Sequence, residues 1–217
     1  MFAIPNQSLS SWESNLDKAL GKNPEHLSTY NLTIEQGTAF SKLQSNGKLI
    51  LPEDGHQLEL YKKTIERLTK KGFNQYEISN FSRKGKECKH NITYWKNSNS
   101  LGIGAGASSY MNGTRFNNIN LPAHYIRQVK EEKTAVEHSE TLEPRQAMGE
   151  TIMLGLRLLQ GISIHQFERR FQVSFINLFK NIIHSLKEKE LILIEDDRLR
   201  LSPKGLFLAD SVILEFI

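Results

Sequence analysis

The sequence predicts an α/β domain followed by a smaller, mainly helical domain, and two observations indicate this organisation. Segments with the periodicity of strands and of helices alternate from the first residues to about residue 81, an order typical of a parallel α/β layer, either an open sheet or a barrel. From Glu143 onward the pattern changes to helices with a single hairpin. Two or three strand–helix units are too few to close a barrel of eight strands, so we expect an incomplete layer.

The elements of the predicted α/β domain follow from capping patterns and periodicity. Ser10-x-x-Glu13 has the pattern of a capping box, and Gly21 is a natural helix end. Residues 26–34 alternate as a half-buried strand does, and residues 41–52 form a polar connection. In chain order we predict a strand at residues 1–4, a helix at 10–21, a strand at 26–34, a helix after Pro52 that Gly72 ends, and a further strand before Ser79.

The second predicted domain contains helices, one hairpin and a last helix over residues 206–217, an order that resembles a winged-helix module. Its local signals are helix starts at Ser163-x-x-Gln166, Ser174 and Ser202-Pro203 and a hairpin turn at Asp196-Asp197. Charged and weakly periodic residues gather around position 130. We therefore predict domains at residues 1–125 and 143–217, with a linker at 126–142.

Composition excludes several classes of protein. The 217 residues carry a formal charge of +4, which is too small and too dispersed to indicate nucleic-acid binding. A single cysteine, Cys88, excludes an internal disulfide and a self-contained cysteine cluster, and it fits a reducing compartment. No apolar run reaches the length of a membrane span and no signal segment is present, so we expect a cytoplasmic protein.

Candidate chemistry is concentrated in residues 76–110. His90 and Tyr94 are four residues apart, so they share a face in a helix or in a strand. An imidazole flanked by the rings of Tyr94 and Trp95 suits an axial ligand of haem. The residues alone nevertheless favour a structural interpretation, in which both rings belong to the core or its rim and His90 is a surface residue. Cys88 and His90 alone support a zinc site only weakly.

The same segment ends in a glycine-rich stretch. Gly102, Gly104 and Ala107 fit the dinucleotide-binding pattern G-x-G-x-x-G/A, but the helix and the acidic residue that this pattern requires do not follow. A glycine-rich strand is the favoured interpretation, and glycines that let the backbone approach a flat ligand are the alternative. Gln7 and Glu35 come directly after predicted strands, where parallel α/β folds bind ligands.

Several stretches resemble a known family. They are MFAIPNQS at residues 1–8, HLSTYNLTIEQGTAF at 26–40, YEISNFSRKGKECKHNITYW at 76–95, LGIGAGASSY at 101–110 and the tail from about residue 143. Together they resemble the HemW-type haem chaperones, radical S-adenosylmethionine proteins related to oxygen-independent coproporphyrinogen III oxidase. The resemblance implies that residues 1–125 are part of a radical-SAM-type (βα) barrel and that the tail is the family's C-terminal domain.

The resemblance also implies a haem site in the H-N-x-x-Y-W motif. The implied haem-contacting residues are Cys88, His90, Asn91, Tyr94 and Trp95, with His90 as the candidate ligand of the haem iron. This implication reverses the structural interpretation of His90 that the residues alone favour.

The cluster-binding motif of the family is missing from this sequence. In the family, three cysteines spaced C-x-x-x-C-x-x-C hold a [4Fe-4S] cluster whose open iron binds S-adenosylmethionine, whereas this chain has one cysteine in another motif. We therefore expect a C-terminal piece of such a protein, unable to hold the cluster alone. The implied S-adenosylmethionine contacts are Gln7, Thr33, Gly104 and Ser108. Ala3 and Asn6 replace family glycines, and Ser108 stands where the family has histidine.

Three functional hypotheses follow. The first is a protein that holds haem for transfer to acceptor proteins. The alternative is part of an oxygen-independent coproporphyrinogen III oxidase of porphyrin biosynthesis, and without the cluster motif we expect the chain to be inactive alone. The third is a winged-helix DNA-binding protein that uses Lys180 and Lys187, although a solvated face explains these lysines better. The expected protein partner is a separate N-terminal half, or a second copy at the open sheet edge of residues 1–4.

Overall fold

The computed structural model describes residues 1–217, which divide into two compact units, Met1–Cys88 and Lys89–Ile217. Each unit combines helices with antiparallel sheet, so the predicted α/β class is confirmed at the level of mixed helix and sheet. The division lies inside the predicted first domain of residues 1–125. The domain limits drawn from the sequence stay a prediction.

The first unit contains three helices and one sheet. In chain order these are α1 (Leu9–Leu20), β1 (His26–Ser28), α2 (Ala39–Ser45), α3 (Asp54–Lys70), β2 (Asn74–Gln75) and β3 (Asn80–Ser82). The strands pair antiparallel in the order β1-β3-β2. The prediction of parallel strands is therefore wrong for this sheet, and parallel pairing is limited to a bridge between Phe2 and Asn31. Residues 76–79 connect β2 to β3, and this is too short for the crossover that parallel strands need.

The core of the first unit lies between α1 and α3. Trp12 is buried there, and its Nε1 donates a hydrogen bond of 2.8 Å to Thr64 Oγ1, which satisfies the indole N–H away from water. Phe2 and Leu60 are buried in the same cluster. Helix α1 begins after Ser8, whose hydroxyl accepts from the backbone N–H of Ser11, and not at the predicted Ser10 cap.

Two stretches of the first unit have a secondary structure that differs from the prediction. The polar connection at residues 41–52 begins inside α2, which Thr38 caps and which has no buried residue. Without a buried face, α2 leaves no apolar periodicity in the sequence. The strand predicted over residues 26–34 is limited to β1 and the bridge at Asn31.

Residues 1–7 contain two left-handed backbone positions. Ala3 has a φ of 57° and Asn6 a φ of 59°, and these are the positions where the family motif has glycine. The turn at Pro5 and Asn6 is closed by a hydrogen bond of 3.1 Å from Gln7 N to Ile4 O. Left-handed backbone suits glycine and is tolerated by asparagine. For alanine it costs about 1–2 kcal/mol.

The second unit contains eight helices and two sheets. Its elements are α4 (Lys89–Trp95), β4 (Ser108–Met111), β5 (Thr114–Asn118), α5 (Pro122–Glu132), β6 (Val136–Thr141), α6 (Pro144–Gly155), β7 (Ile162–Ser163), α7 (Ile164–Phe171), α8 (Phe175–Leu178), α9 (Lys180–Glu188), β8 (Ile192–Glu195), β9 (Arg198–Leu201), α10 (Pro203–Leu206) and α11 (Ala209–Leu214). None of the helices in the structure has the length and the apolar character needed to cross a membrane.

The first sheet of this unit has the order β4-β5-β6. Strands β4 and β5 form a hairpin whose turn is Asn112 and Gly113, both with positive φ. The glycine-rich strand predicted just before Ser108 is wrong, because only residues 108–111 pair with β5. The predicted linker at 126–142 is folded, since it contains most of α5 and all of β6. Helix α5 has no buried residue, which explains its weak periodicity.

The second sheet has the order β7-β9-β8 and packs with the C-terminal helices. The predicted hairpin is confirmed as β8 and β9, with Asp196 and Asp197 both left-handed as a type I′ turn requires. The caps at Ser163, Ser174 and Ser202 are confirmed. The last helix predicted over 206–217 is instead two short helices, α10 and α11.

Gly161 is a position of this unit where a left-handed backbone conformation coincides with a close backbone approach. Its φ is +66°, and a Cβ added there would lie 2.0 Å from the carbonyl oxygen of Leu199 in β9. We expect Gly161→Ala to lower the free energy of unfolding by about 3 kcal/mol, the sum of left-handed strain and overpacking. Urea unfolding of both proteins measures this difference.

Gly113→Ala is the matched control for this substitution. Gly113 has a φ of +86°, but nothing lies within 4 Å of its added Cβ, so only the left-handed strain of about 1–2 kcal/mol is expected. Equal losses in the two variants would show that the close approach to Leu199 has no energetic weight.

Candidate functional site

Helix α4 carries most of the motif in which haem contact is predicted. His90 and Tyr94 lie one turn apart, and their rings meet edge to face with centroids 4.7 Å apart and an interplanar angle of 82°. Both side chains are exposed. The predicted shared face is therefore confirmed, and it presents an imidazole and a phenol ring to solvent. A flat ligand could reach the imidazole from that side.

The adjacent face of α4 carries Asn91 and Trp95, which are half-buried. The guanidinium of Arg157 lies over the Trp95 ring, 4.8 Å from its centroid. The indole Nε1 of Trp95 is buried and has no hydrogen-bond partner, and neither has the Nε of Arg157. A buried N–H without an acceptor costs about 1–3 kcal/mol. Both atoms are enclosed by protein atoms and are not exposed to solvent.

The end of α4 is attached to two other helices through Asn97. This buried residue has a left-handed φ of 48°, and its backbone N–H closes the helix on Tyr94 O at 2.8 Å. Its side-chain amide donates to Thr151 Oγ1 of α6 at 3.1 Å. Its carbonyl oxygen accepts from Arg170 Nη1 of α7 at 3.2 Å. Asn97 thus ties the end of α4 to α6 and α7.

Cys88 is half-buried at the end of the first unit. Its backbone N–H donates to the hydroxyl oxygen of Tyr76 at 3.4 Å, and that hydroxyl lies 2.8 Å from Nε2 of His26. Burial lowers the pKa of His26 below its usual range. The imidazole of His26, the hydroxyl of Tyr76 and the backbone N–H of Cys88 therefore form one chain of hydrogen bonds.

The predicted S-adenosylmethionine contacts divide between the two units. In the first unit, Gln7 is buried and its side-chain oxygen has no partner, whereas Thr33 is exposed. In the second unit, Gly104 has a φ of +107° and its carbonyl accepts from Asn118 at 3.0 Å. Ser108 is exposed and borders a cavity of about 490 Å³ together with Tyr94. The buried, unpartnered amide oxygen of Gln7 fits a ligand with hydrogen-bond donors.

The donor set does not fit an iron–sulfur cluster. Cys88 is the single cysteine, and no group of three or more histidine, cysteine and acidic side chains is arranged to hold a metal ion. Haem makes a smaller demand, because its iron already has four ring nitrogens and needs one or two axial ligands. One exposed imidazole on α4 meets that demand.

Sequence reasoning missed the arginines around the motif. Arg157 interrupts the apolar run LGLRLL at residues 154–159, and a lone cation on an apolar helix end is the signal that could have identified it. Arg170 carries no comparable signal, because its partners Asn97 and Tyr110 are 73 and 60 residues away in the chain.

The lowered pKa of His26 predicts a pH dependence of stability. A group whose folded-state pKa lies below its unfolded value of about 6.5 binds fewer protons when folded, so stability falls as pH falls through that window. We expect the free energy of unfolding to decrease between pH 7.5 and 5.5, and to decrease less in His26→Gln, which keeps a polar partner for Tyr76. Urea unfolding at the two pH values measures both slopes.

Comparing the pH dependence of unfolding in the wild type and in His26→Gln separates the contribution of His26 from that of His56. A hydrogen bond to the backbone oxygen of Gln7 raises the pKa of His56, so its contribution is lost as pH rises through that raised pKa. His56 is present in both proteins and cancels. Identical slopes in the wild type and in His26→Gln would contradict the role given to burial.

Part of the second unit matches a known family. Residues 142–208 match the family model of the HemN C-terminal domain. Over the whole chain, the haem chaperones HemW of Lactococcus lactis and of Bacillus subtilis are each 35% identical across 217 residues, which is 100% of this chain and 57% of each relative. The radical S-adenosyl methionine domain-containing protein 1, mitochondrial, of Danio rerio is 32% identical and covers 98% of this chain and 50% of the relative.

The chain thus spans about half the length of the curated relatives it matches. Its structure is similar to that of coproporphyrinogen III oxidase (HemN) from Escherichia coli, a radical SAM enzyme, with a TM-score of 0.75 over 99% of this chain and 53% of that chain. At 18% identity, this likeness shows the fold alone. The resemblance that the motifs indicate is therefore confirmed: this chain is similar to the C-terminal part of the HemW-type haem chaperones and contains a HemN C-terminal domain.

Proposed function

We propose that the chain binds haem on helix α4 and holds it for delivery to acceptor proteins. The observation that carries this proposal is the exposed edge-to-face pair of His90 and Tyr94 on one face of α4. His90 would supply the axial nitrogen, and the rings of Tyr94 and Trp95 would pack against the porphyrin. Asn91 lies in the same helix and Cys88 directly precedes the helix in the sequence, and these two residues complete the predicted contacts.

The relatives favour a carrier over an enzyme. The named relatives at 35% identity are haem chaperones, so the oxidase alternative is less supported than the chaperone function.

S-adenosylmethionine and an iron–sulfur cluster belong to the proposed complete protein. S-adenosylmethionine would supply the radical chemistry or regulation of the cluster-containing half, and this chain would contribute contacts from Gln7, Thr33, Gly104 and Ser108. Of these, Gln7 is the best supported, because its buried amide oxygen lacks a donor. The cysteines for the cluster would come from outside this sequence.

Two features of the fold are proposed together with this function. We propose that residues 1–125 contribute to a radical-SAM-type barrel and that residues 143–217 form a winged-helix-like module. The order of α6, α7, the helices α8 and α9 and the β8–β9 hairpin supports the second proposal. A reducing compartment such as the cytoplasm is the proposed location, in keeping with the single free cysteine.

Haemin titration of the purified chain tests the function. We expect saturable binding with a shifted Soret band, and His90→Ala to weaken it at least tenfold, about 1.4 kcal/mol, because the axial nitrogen is lost. His124→Ala is the matched control, since His124 is also an exposed helical histidine of the second unit. Equal affinity of the wild type and His90→Ala would exclude His90 as the ligand, and equal losses in the two variants would indicate non-specific adsorption.

A further inference from the structure

The C-terminal end of α4 is formed by the backbone around Asn97. The N–H of Ser98 donates to the carbonyl oxygen of Thr93 at 3.1 Å. The N–H of Asn97 donates to the carbonyl oxygen of Tyr94 at 2.8 Å, and Asn97 has a left-handed φ of 48°. Two such hydrogen bonds around a left-handed residue form a Schellman motif, which ends a helix. The motif uses carbonyl oxygens of α4 and leaves that of Asn97 to a partner outside the helix.

Arg170 of α7 is that partner, and it also holds the neighbouring sheet. Its Nη1 donates to the carbonyl oxygen of Asn97 at 3.2 Å, and its Nη2 donates to the hydroxyl oxygen of Tyr110 in β4 at 2.6 Å. The backbone N–H groups of Ser100 and Tyr110 each donate to the other residue's carbonyl oxygen at 2.8 Å. Arg170 thus closes a ring of contacts that runs from the end of α4 through Ser100 and Tyr110.

Helix α7 is itself anchored by burial. Ile164 and Phe167 of α7 are buried, and the ring of Phe167 meets that of the fully buried Phe175 edge to face, with centroids 4.9 Å apart. Helix α7 lies within residues 142–208, which match the HemN C-terminal domain. A side chain of that domain therefore holds the end of the helix on which haem binding is proposed.

Helix α4 has few interactions of its own. It is seven residues long and contains no buried residue, and isolated helices shorter than about 12–15 residues are marginal in water. The rings of His90 and Tyr94 lie 4.7 Å apart, which requires one helical turn, because four residues of a strand span about 13 Å. The fraction of molecules that present this pair therefore depends on contacts that hold α4.

Two other contacts hold the same end of α4. The guanidinium of Arg157 lies over the ring of Trp95, and the side-chain amide of Asn97 donates to Thr151. Both come from α6 or the residues that directly follow it. Arg170 is distinct from them because it joins the helix end to α7 and to β4 at once.

We propose that Arg170 is a positioning residue for haem binding, which keeps α4 in the conformation that presents His90 to the ligand. The proposal rests on the proposed haem function. Arg170 acts through the helix: it raises the fraction of molecules in the competent conformation, and the apparent dissociation constant varies inversely with that fraction. The planar guanidinium donates to two separate acceptors at fixed angles, which the ammonium group of lysine does not reproduce.

Haemin titrations of Arg170→Gln, Arg170→Lys and the control Arg169→Gln test this role. Arg169 is the neighbouring exposed arginine of α7, so its replacement removes the same charge. Arg170 is also exposed, so its hydrogen bonds compete with water and the expected effect is modest. We expect both Arg170 variants to bind haemin roughly fivefold more weakly than the wild type, the equivalent of one hydrogen bond. Arg169→Gln should bind as the wild type does.

The absorbance spectrum at saturation separates positioning from direct contact with haem. A residue that acts through the population of a helix changes the concentration of haemin that is needed, but not the ligand of the iron. We therefore expect saturated Arg170→Gln to have the Soret band of the wild type, whereas the band of His90→Ala is shifted. Circular dichroism and urea unfolding of each variant set a temperature at which all of them are folded.

Tyr110→Phe provides a second variant that keeps the arginine. It removes only the hydroxyl oxygen that accepts from Arg170, so we expect weaker haemin binding and a smaller further loss when Arg170→Gln is added, because the two residues act as one unit. If Arg170→Gln does not fold, this variant supplies the test alone, and wild-type affinity of Tyr110→Phe would then contradict the proposal.

The outcomes separate this inference from the function on which it rests. His90-dependent haemin binding of equal affinity in the wild type and Arg170→Gln would overturn the positioning role and leave the haem function intact. Full affinity in Arg170→Lys, or an equal loss in Arg169→Gln, would overturn it as well, since charge alone would then explain the effect. A shifted Soret band in saturated Arg170→Gln would assign a direct contact instead. Absence of His90-dependent binding in the wild type would overturn the function and the positioning role together.

Discussion

Hydrogen bonds of the buried Asn97 join three helices of the second unit. Asn97 ends α4 in a left-handed conformation and connects that helix to Thr151 of α6 and Arg170 of α7. The residues of α4 are at most half-buried, and the Trp95 ring packs under the guanidinium of Arg157. Buried hydrogen bonds contribute about 1 kcal/mol each, and leaving their partners unpaired costs more. The position of α4 therefore depends on Asn97 together with the packing of Trp95.

The two tryptophans differ in hydrogen bonding. In the first unit the buried indole N–H of Trp12 has an acceptor in Thr64, whereas the buried indole N–H of Trp95 has none within the chain. The Nε of Arg157, whose guanidinium lies over the Trp95 ring, also lacks an acceptor within the chain. A buried donor without an acceptor reduces stability by about 1–3 kcal/mol. The packing of Trp95 against Arg157 therefore carries a cost that the packing of Trp12 against Thr64 does not.

The backbone near the start adopts a conformation that glycine favours. Ala3 and Asn6, where the resemblance places glycines, both have positive φ. Positive φ costs more for alanine than for asparagine. Ala3 therefore keeps this conformation at the expense of local strain.

The sequence by itself determined the features whose chemistry is local. The caps at Ser163 and Ser202, the turn at Asp196 and Asp197, and the shared face of His90 and Tyr94 each involve residues within four positions of one another. Capping, turn geometry and helical spacing act over that range. The family resemblance was also readable from the sequence, because its motifs are contiguous.

The pairing of strands and the surroundings of the motif depend on contacts that periodicity does not reveal. The antiparallel β1-β3-β2 order, the folding of residues 126–142 as α5 and β6, and the contacts of Arg170 with Asn97 all join residues that are distant in sequence or leave no apolar pattern. Periodicity reports which face of an element is buried, but it does not report the partner or the direction of pairing. The hydrogen bonds of Asn97 with Thr151 and Arg170 arise in the same way, since they join residues 54 and 73 positions apart.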